Sequence, residues 1–416
     1  MELNLLLPQH HYSFHMLTPY RKLFATPGGL AFSIPGSIAR LPIAMTFLSV
    51  TFVVLYETNS YTLAGTISTG AALINAAFSP LWSRKADQLG QAKVLRFTIP
   101  PYIIFGLLFI YAITHNFPTI IWMAFIFIAE AFLPNIGGLV RRRWLHTLED
   151  KEDGRQLINT AYSFEALVDE IVFIIGPLVA SAAAISIAPQ AGMYFAFSFM
   201  SVGTGLYLLQ KRSEPPPHPI VKSEKRTAVL AIPYVQAIFV PYIFLGIFFA
   251  SATFSTIAFA DQLDAKGSTG ILLATWSAGS AVAAIINGAI KLKITNGQKF
   301  IYLIIAMFFL TIPLLFVDSI LVLGIVLFLS GLGVAPILIS GYAIVEKSVS
   351  PAKITETFAW ILAGLQIGNA LPGPISGYII DNYGASKSFI IPVIALLITI
   401  LSLLPYCKVW RVLIKI

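Results

Sequence analysis

The chain has 416 residues, of which 57% are hydrophobic and only 11% charged, with a mean hydropathy of +0.81. Soluble domains carry roughly 25% charged residues, so an ordinary soluble protein is excluded. The net charge of +8 would suggest nucleic acid in a soluble chain, but here the basic residues flank apolar blocks, which assigns them to membrane topology and lipid headgroups. A membrane span needs about 20 apolar residues to cross roughly 30 Å of hydrocarbon. In chain order the apolar blocks predict spans at 32–56, 61–82, 95–113, 118–140, 160–187, 191–209, 235–258, 269–290, 300–317, 319–342, 356–379 and 388–405.

The basic residues collect in every second connection. These connections hold Arg21 and Lys22, then Arg84 to Arg96, Arg141 to Arg155, Lys211 to Arg226, Lys291 to Lys299, Lys347 and Lys353, and Lys408 to Lys415. The exceptions are Lys266 and Lys387 on the other side and Arg40 within a span. Cationic loops stay in the cytoplasm during insertion, so both termini are expected inside. Residues 1–29 lack an apolar core and cleavage site, which predicts that the first span directs insertion into the cell membrane. The single cysteine, Cys407, precludes an internal disulfide or a cysteine-based metal cluster.

External connections such as Glu57–Ser60 and His115–Phe117 are short, which makes neighbouring spans antiparallel. The segment from Gln210 to Ala228 reads QKRSEPPPHPIVKSEKRTA and is expected to be a flexible linker. The predicted organisation is a cytoplasmic segment 1–29, a six-helix bundle 30–209, the linker 210–228, a second six-helix bundle 229–405 and a tail 406–416. The fold class is therefore an all-α membrane protein of twelve transmembrane helices in two six-helix halves. The halves echo each other: Gly176-Pro177 precedes Ala180-Ser181, and Gly373-Pro374 precedes Ser376-Gly377. Gly90-Gln91-Ala92-Lys93 is likewise matched by Gly297-Gln298-Lys299. Duplicated halves that rock about a shared site are a transporter architecture.

The segment Ser83 to Lys93 resembles the signature loop of the major facilitator superfamily, G-x-x-x-D-R-x-G-R-x-x, through Asp87, Gly90 and the nearby Lys93. Ser83, Gln88 and Gln91 depart from it. Gly176-Pro177 is similar to the superfamily's antiporter motif, G-x-x-x-G-P-x-x-G-G, with Val172, Ala180 and Ser181 in place of its other glycines. Ala39 to Met45 resembles a first-span signature of actinobacterial-type permeases. The resemblance implies that Asp87 meets a helix N-terminus and basic partners on the cytoplasmic side, where an anion is favoured. A merely solvated loop acid is the alternative. For Gly176, Pro177, Gly373, Pro374 and Gly377 the expectation is close helix packing or bending.

Charged groups inside spans cost about 2.5–3.5 kcal/mol each and need partners or a wet cavity. Arg40, Glu130 and Asp169 fall about 12–15 Å from the cytoplasmic ends of their spans at roughly 1.5 Å per residue, near mid-membrane. Glu165 and Asp169 share a helix face, and Glu170 is turned roughly 100° from Asp169. Either Arg40 is neutralised by Glu130 or Asp169 in a structural pair, or at least one acid takes up and releases the coupling proton. One arginine cannot neutralise four carboxylates, which favours the second. The C-terminal half offers Gln236, Asn287, Gln366 and Asn369, with aromatics Tyr234, Phe239, Tyr242, Phe244, Phe248 and Phe249 crowding the seventh span.

His10, His11 and His15 precede the first span as a loose cluster, better read as solvated tail than as a metal site. There is no phosphate-binding loop and no zinc-protease motif, so no cofactor, metal or enzyme activity is expected. The expected function is a monomeric secondary transporter, leading with proton-coupled efflux of a hydrophobic compound. Uptake of an organic anion or other nutrient through Arg40, and a non-transporting sensor or scaffold, are the alternatives.

Overall fold

The computed structural model describes residues 18–151, 153–217, 229–289, 294–349 and 354–415. The His10, His11 and His15 cluster and the body of the linker lie outside them. Every regular element among the described residues is helical. The first six spans are Gly29–Ile38 with Leu41–Thr58, Tyr61–Leu89, Gln91–Thr114, Thr119–Phe132 with Ile136–Leu148, Gly154–Ser186, and Ala191–Leu209. The last six are Pro233–Gln262, Ser268–Ala289, Asn296–Thr311, Ile320–Ser348, Ile354–Ala370 with Gly373–Tyr383, and Ala385–Ser388 with Ile390–Leu401. Short helices Thr18–Phe24 and Cys407–Leu413 lie at the two ends.

Among the described residues, ten of the spans are long and apolar enough to cross a membrane by themselves. The exceptions are the second, which carries Thr62, Thr66, Ser68, Thr69, Asn75 and a charged end, and the eleventh, interrupted at Pro372. These two least apolar spans pack against each other at the seam between the halves. Their backbones nearly touch: a Cβ on Gly65 would strike the Gly373 carbonyl, and one on Gly377 would strike that of Tyr61. The fifth and eighth spans form the other seam, where a Cβ on Gly270 would stand 2.8 Å from the Pro177 carbonyl. Small residues permit such approach where no aqueous hydrophobic effect drives helices together.

Each half has its own apolar core. Ile67, Phe109, Ile126 and Trp144 are buried in the first, and Phe248, Phe300, Leu327 and Trp410 in the second. Several helices run past their predicted ends. The fourth span continues to Leu148 and so carries Arg141, Arg142 and Arg143 on a helix rather than in a loop.

On the face opposite the linker a carboxylate bridges the two halves. Asp381, near the end of the eleventh span, accepts from the backbone N–H groups of Tyr61 at 2.9 Å and Thr62 at 2.8 Å. It also accepts from the hydroxyls of Thr62 at 2.6 Å and Ser60 at 3.2 Å. The first N–H groups of a helix lack intrahelical partners and favour an anion, so an acid of one half caps a helix of the other. Beside it the Tyr61 hydroxyl donates to Asp261 at 2.7 Å, and Lys266 pairs with the same carboxylate at 2.9 Å. Asp381→Ala removes bonds worth about 1–2 kcal/mol after solvent screening and is expected to let the halves part at this face. Spin labels at Thr58 and Tyr383 would report the opening as a longer interlabel distance; an unchanged distribution counts against the latch.

Candidate functional site

The first span breaks between Ile38 and Leu41. Pro42 has no N–H to give the Ile38 carbonyl, so the helix ends and restarts, and Arg40 sits at the restart. Buried there, it donates through Nη1 to Asp169 at 2.8 Å, through Nη2 to Glu165, and through Nε to the Gly36 carbonyl at 3.3 Å. Glu165 also accepts from the Ser33 hydroxyl at 2.5 Å and the Trp144 indole at 2.7 Å. Asp169 turns its second oxygen to Arg141 at 2.6 Å. Glu165 and Asp169 lie one turn apart on the fifth span, so one face of it meets arginines from two other spans.

This alters the expected pairing. Arg40 takes Glu165 and Asp169 and not Glu130, and a second arginine joins the cluster. Two cations and two anions balance, so these acids need no proton to be neutral as a group. Because the apolar block stops at 140, the sequence puts Arg141 in a connection; its signal is the three-residue spacing to Trp144, which places both on the side of the helix facing span five. Arg143, two residues on, is fully buried. It donates to Gln91 Oε1 at 2.9 Å and to the carbonyls of Tyr207 at 3.2 Å and Gln210 at 2.9 Å, with its guanidinium 3.7 Å over the Tyr207 ring.

Glu130 stands apart. Pro134 breaks the fourth span by leaving the Glu130 carbonyl without its helical donor. Asn75 of the second span donates to that carbonyl at 3.2 Å and to Leu133's at 3.1 Å, while the Trp82 indole donates to Ala131's at 2.6 Å. The side chain of Glu130 is 6% exposed, and its Oε1 has no hydrogen-bond partner. Among the described residues no cation lies within ion-pair distance of it.

Glu130 lines a cavity of about 470 Å³ between the halves. The N-terminal half contributes Thr46, Phe47, Ser68, Asn75, Glu170 and Phe173 to the wall, and the C-terminal half Phe249, Thr253, Trp276, Ser280, Gln366 and Asn369. Arg40, Glu165 and Asp169 are not part of it. Glu170 reaches across the seam and accepts from the Ser280 hydroxyl at 3.4 Å. Of the seventh-span aromatics only Phe249 reaches the cavity; Tyr242 and Phe248 are core residues. Gln236 instead donates to the Leu230 carbonyl at 2.8 Å, and Asn287 is not in the wall.

The loop between the second and third spans turns on Gly90, whose φ of +91° suits glycine. Asp87 and Lys93 are exposed, and Asp87 makes no hydrogen bond or ion pair with a described residue in this conformation. Glu214, from the start of the linker, takes the helix-capping place there and accepts from the Ala92 N–H at 2.7 Å. Gly176 faces Ala44 of the first span, where an added Cβ would come within 2.7 Å of the alanine's own. Pro177 lines the cavity, Gly373 and Gly377 form the seam, and Pro374 lies in the first turn of the helix they share.

Removing one member of a buried ion pair costs about 3–5 kcal/mol because the other charge is stranded. Glu165→Gln is therefore expected to lower the thermal unfolding temperature of the purified protein sharply, and Arg40→Met with Glu165→Met to recover most of the loss. A Glu165→Gln variant as stable as the parent would show that the pair is not structural.

A family model described as Major Facilitator Superfamily matches residues 38–290 and 242–412. No curated protein sequence matches the chain at a significant level. Among solved structures, the nucleoside transporter NupG aligns at 15% identity over 91% of this chain and 99% of its own, with a TM-score of 0.68. A POT family transporter in complex with 5-aminolevulinic acid aligns at 15% identity over 94% and 96%, with a TM-score of 0.67. A D-xylose-proton symporter aligns at 13% identity over 93% and 96%, with a TM-score of 0.61. With its six-plus-six helices meeting around a cavity and the family match running through both halves, this chain belongs to the Major Facilitator Superfamily: it is a multi-pass membrane protein and a secondary transporter, not an enzyme.

Proposed function

We propose that the protein exports a hydrophobic compound from the cytoplasm in exchange for protons, by alternating access to the cavity between its halves. The observation that carries this reading is Glu130, a carboxylate in the cavity wall with no cationic partner. An isolated ionised carboxylate is very costly away from water, so a proton is the neutralising partner the geometry leaves room for. Access to the cavity changes as the halves rock, which offers that proton to each side in turn. Arg40, Glu165 and Asp169 have a different part in this scheme, holding the first, fourth and fifth spans together as one moving body.

Two rival readings lose ground on the same geometry. Uptake of an organic anion relied on Arg40, whose guanidinium is engaged by two acids and a carbonyl outside the cavity. A non-transporting sensor or scaffold calls for a paired, dry cluster and no cavity. The pairing is present, but so is a cavity with an unpaired acid.

In an efflux-deficient bacterial strain the parent chain is expected to raise tolerance to hydrophobic toxic compounds. Glu130→Gln should abolish that gain, and so should a protonophore. Tolerance retained by Glu130→Gln, or insensitive to the protonophore, would overturn the reading. Asp87 has its role in the other conformation, when the cytoplasmic face closes and a helix end of the second half comes within reach. Asp87→Asn is expected to lower transport at least tenfold while leaving the unfolding temperature within a degree or two; unchanged transport would remove Asp87 from the gate.

A further inference from the structure

We infer that the substrate class is an amphiphilic organic cation, one positive charge on an apolar and partly aromatic body, whose charge sits at Glu130 in place of the proton. The inference rests on the proton-exchange reading above and names what is exchanged.

The ionisable groups of the wall are Glu130 and Glu170, both acids. The cations at this level are spoken for: Arg40 is bound to Glu165 and Asp169, and Arg141 to Asp169. Glu170 has a hydroxyl donor in Ser280. Glu130 is more than nine-tenths buried and keeps an oxygen with no partner. A wall of this kind repels an anion and gives a neutral solute no reason to displace the proton. A cation fits it, because its charge replaces the proton's with no change in the total.

The opposite wall suits the rest of such a molecule. Trp276 and Phe249 lie edge to face with ring centroids 5.9 Å apart, and both line the cavity. Aromatic faces attract a cation by about 0.5–2 kcal/mol and also bury apolar surface. The cavity volume falls within the range that holds drug-sized ligands. Because proton and cation share one carboxylate, the protein carries one or the other and not both, which makes transport an exchange.

The test uses two probes of nearly the same shape and opposite charge, tetraphenylphosphonium and tetraphenylborate, with the full chain in nanodiscs of neutral phosphatidylcholine. The phosphonium is expected to bind at least tenfold more tightly than the borate. Its binding in weakly buffered solution should release about one proton per molecule bound. Glu130→Gln should lose the preference and the proton release, whereas Glu130→Asp should keep the preference at reduced affinity, and Trp276→Ala should weaken binding of the phosphonium without reversing it. Equal binding of the two probes, or a preference unmoved in Glu130→Gln, would overturn the substrate class. A charge preference at Glu130 without proton release would leave the cation site standing and defeat the proton-exchange reading instead. Absence of measurable phosphonium binding overturns the inference outright.

Discussion

The bilayer supplies no water to a buried charge, and the architecture of the first half answers that constraint at Arg40. Its guanidinium reaches two carboxylates one turn apart on the fifth span, and the second carboxylate passes the charge on to Arg141 of the fourth. Three spans are thereby fixed in rotation and height relative to one another. The apolar contacts around them are less particular, since lipid competes for every one of them. A buried network adds little net stability beside what breaking it costs, and here the register it holds decides which groups face the interior of the half and which face the seam.

That division separates two kinds of charge. The paired set lies within the first half and forms no part of the cavity wall. The acids of the wall, Glu130 and Glu170, pair with no arginine among the described residues. A half that had to move as a body would need the first kind, and a site that had to change its charge would need the second. The sequence places Arg40, Glu130 and Asp169 at similar depth, but only the helix rotations sort them.

Much of the fold was readable because its cause is local. Hydrophobic length and the alternation of basic connections depend on nothing distant, and the span order follows from them. The two proline breaks were also present in the residues, at Pro42 and Pro134, and they explain why Arg40 and Glu130 stand where regular helix stops. What escaped depends on rotation about a helix axis. Arg141, Arg142 and Arg143 read as loop charge, yet Arg143 is buried under Tyr207 and Arg141 holds Asp169. The partner chosen by Arg40 is equally illegible in the sequence, since Glu130 and Asp169 are both acids of the right depth and Glu165 is a turn nearer the end of its span. Asp381 gave no sign of its role, because a capping acid is recognised only beside the helix it caps.

The second span joins two of these features along one stretch of backbone. Its first residues are held by Asp381, and Asn75 further along holds the carbonyl of Glu130. Proline is absent from that stretch until Pro80, so it behaves as a stiff lever of roughly 20 Å at 1.5 Å per residue. A tilt of about 10° pivoting at the capped end carries Asn75 through roughly 3.5 Å over that length, more than a hydrogen bond can stretch. While Asp381 holds the far face, such a tilt withdraws the support behind Glu130, so the latch fixes the end about which that support can move, with no relay of side chains between them.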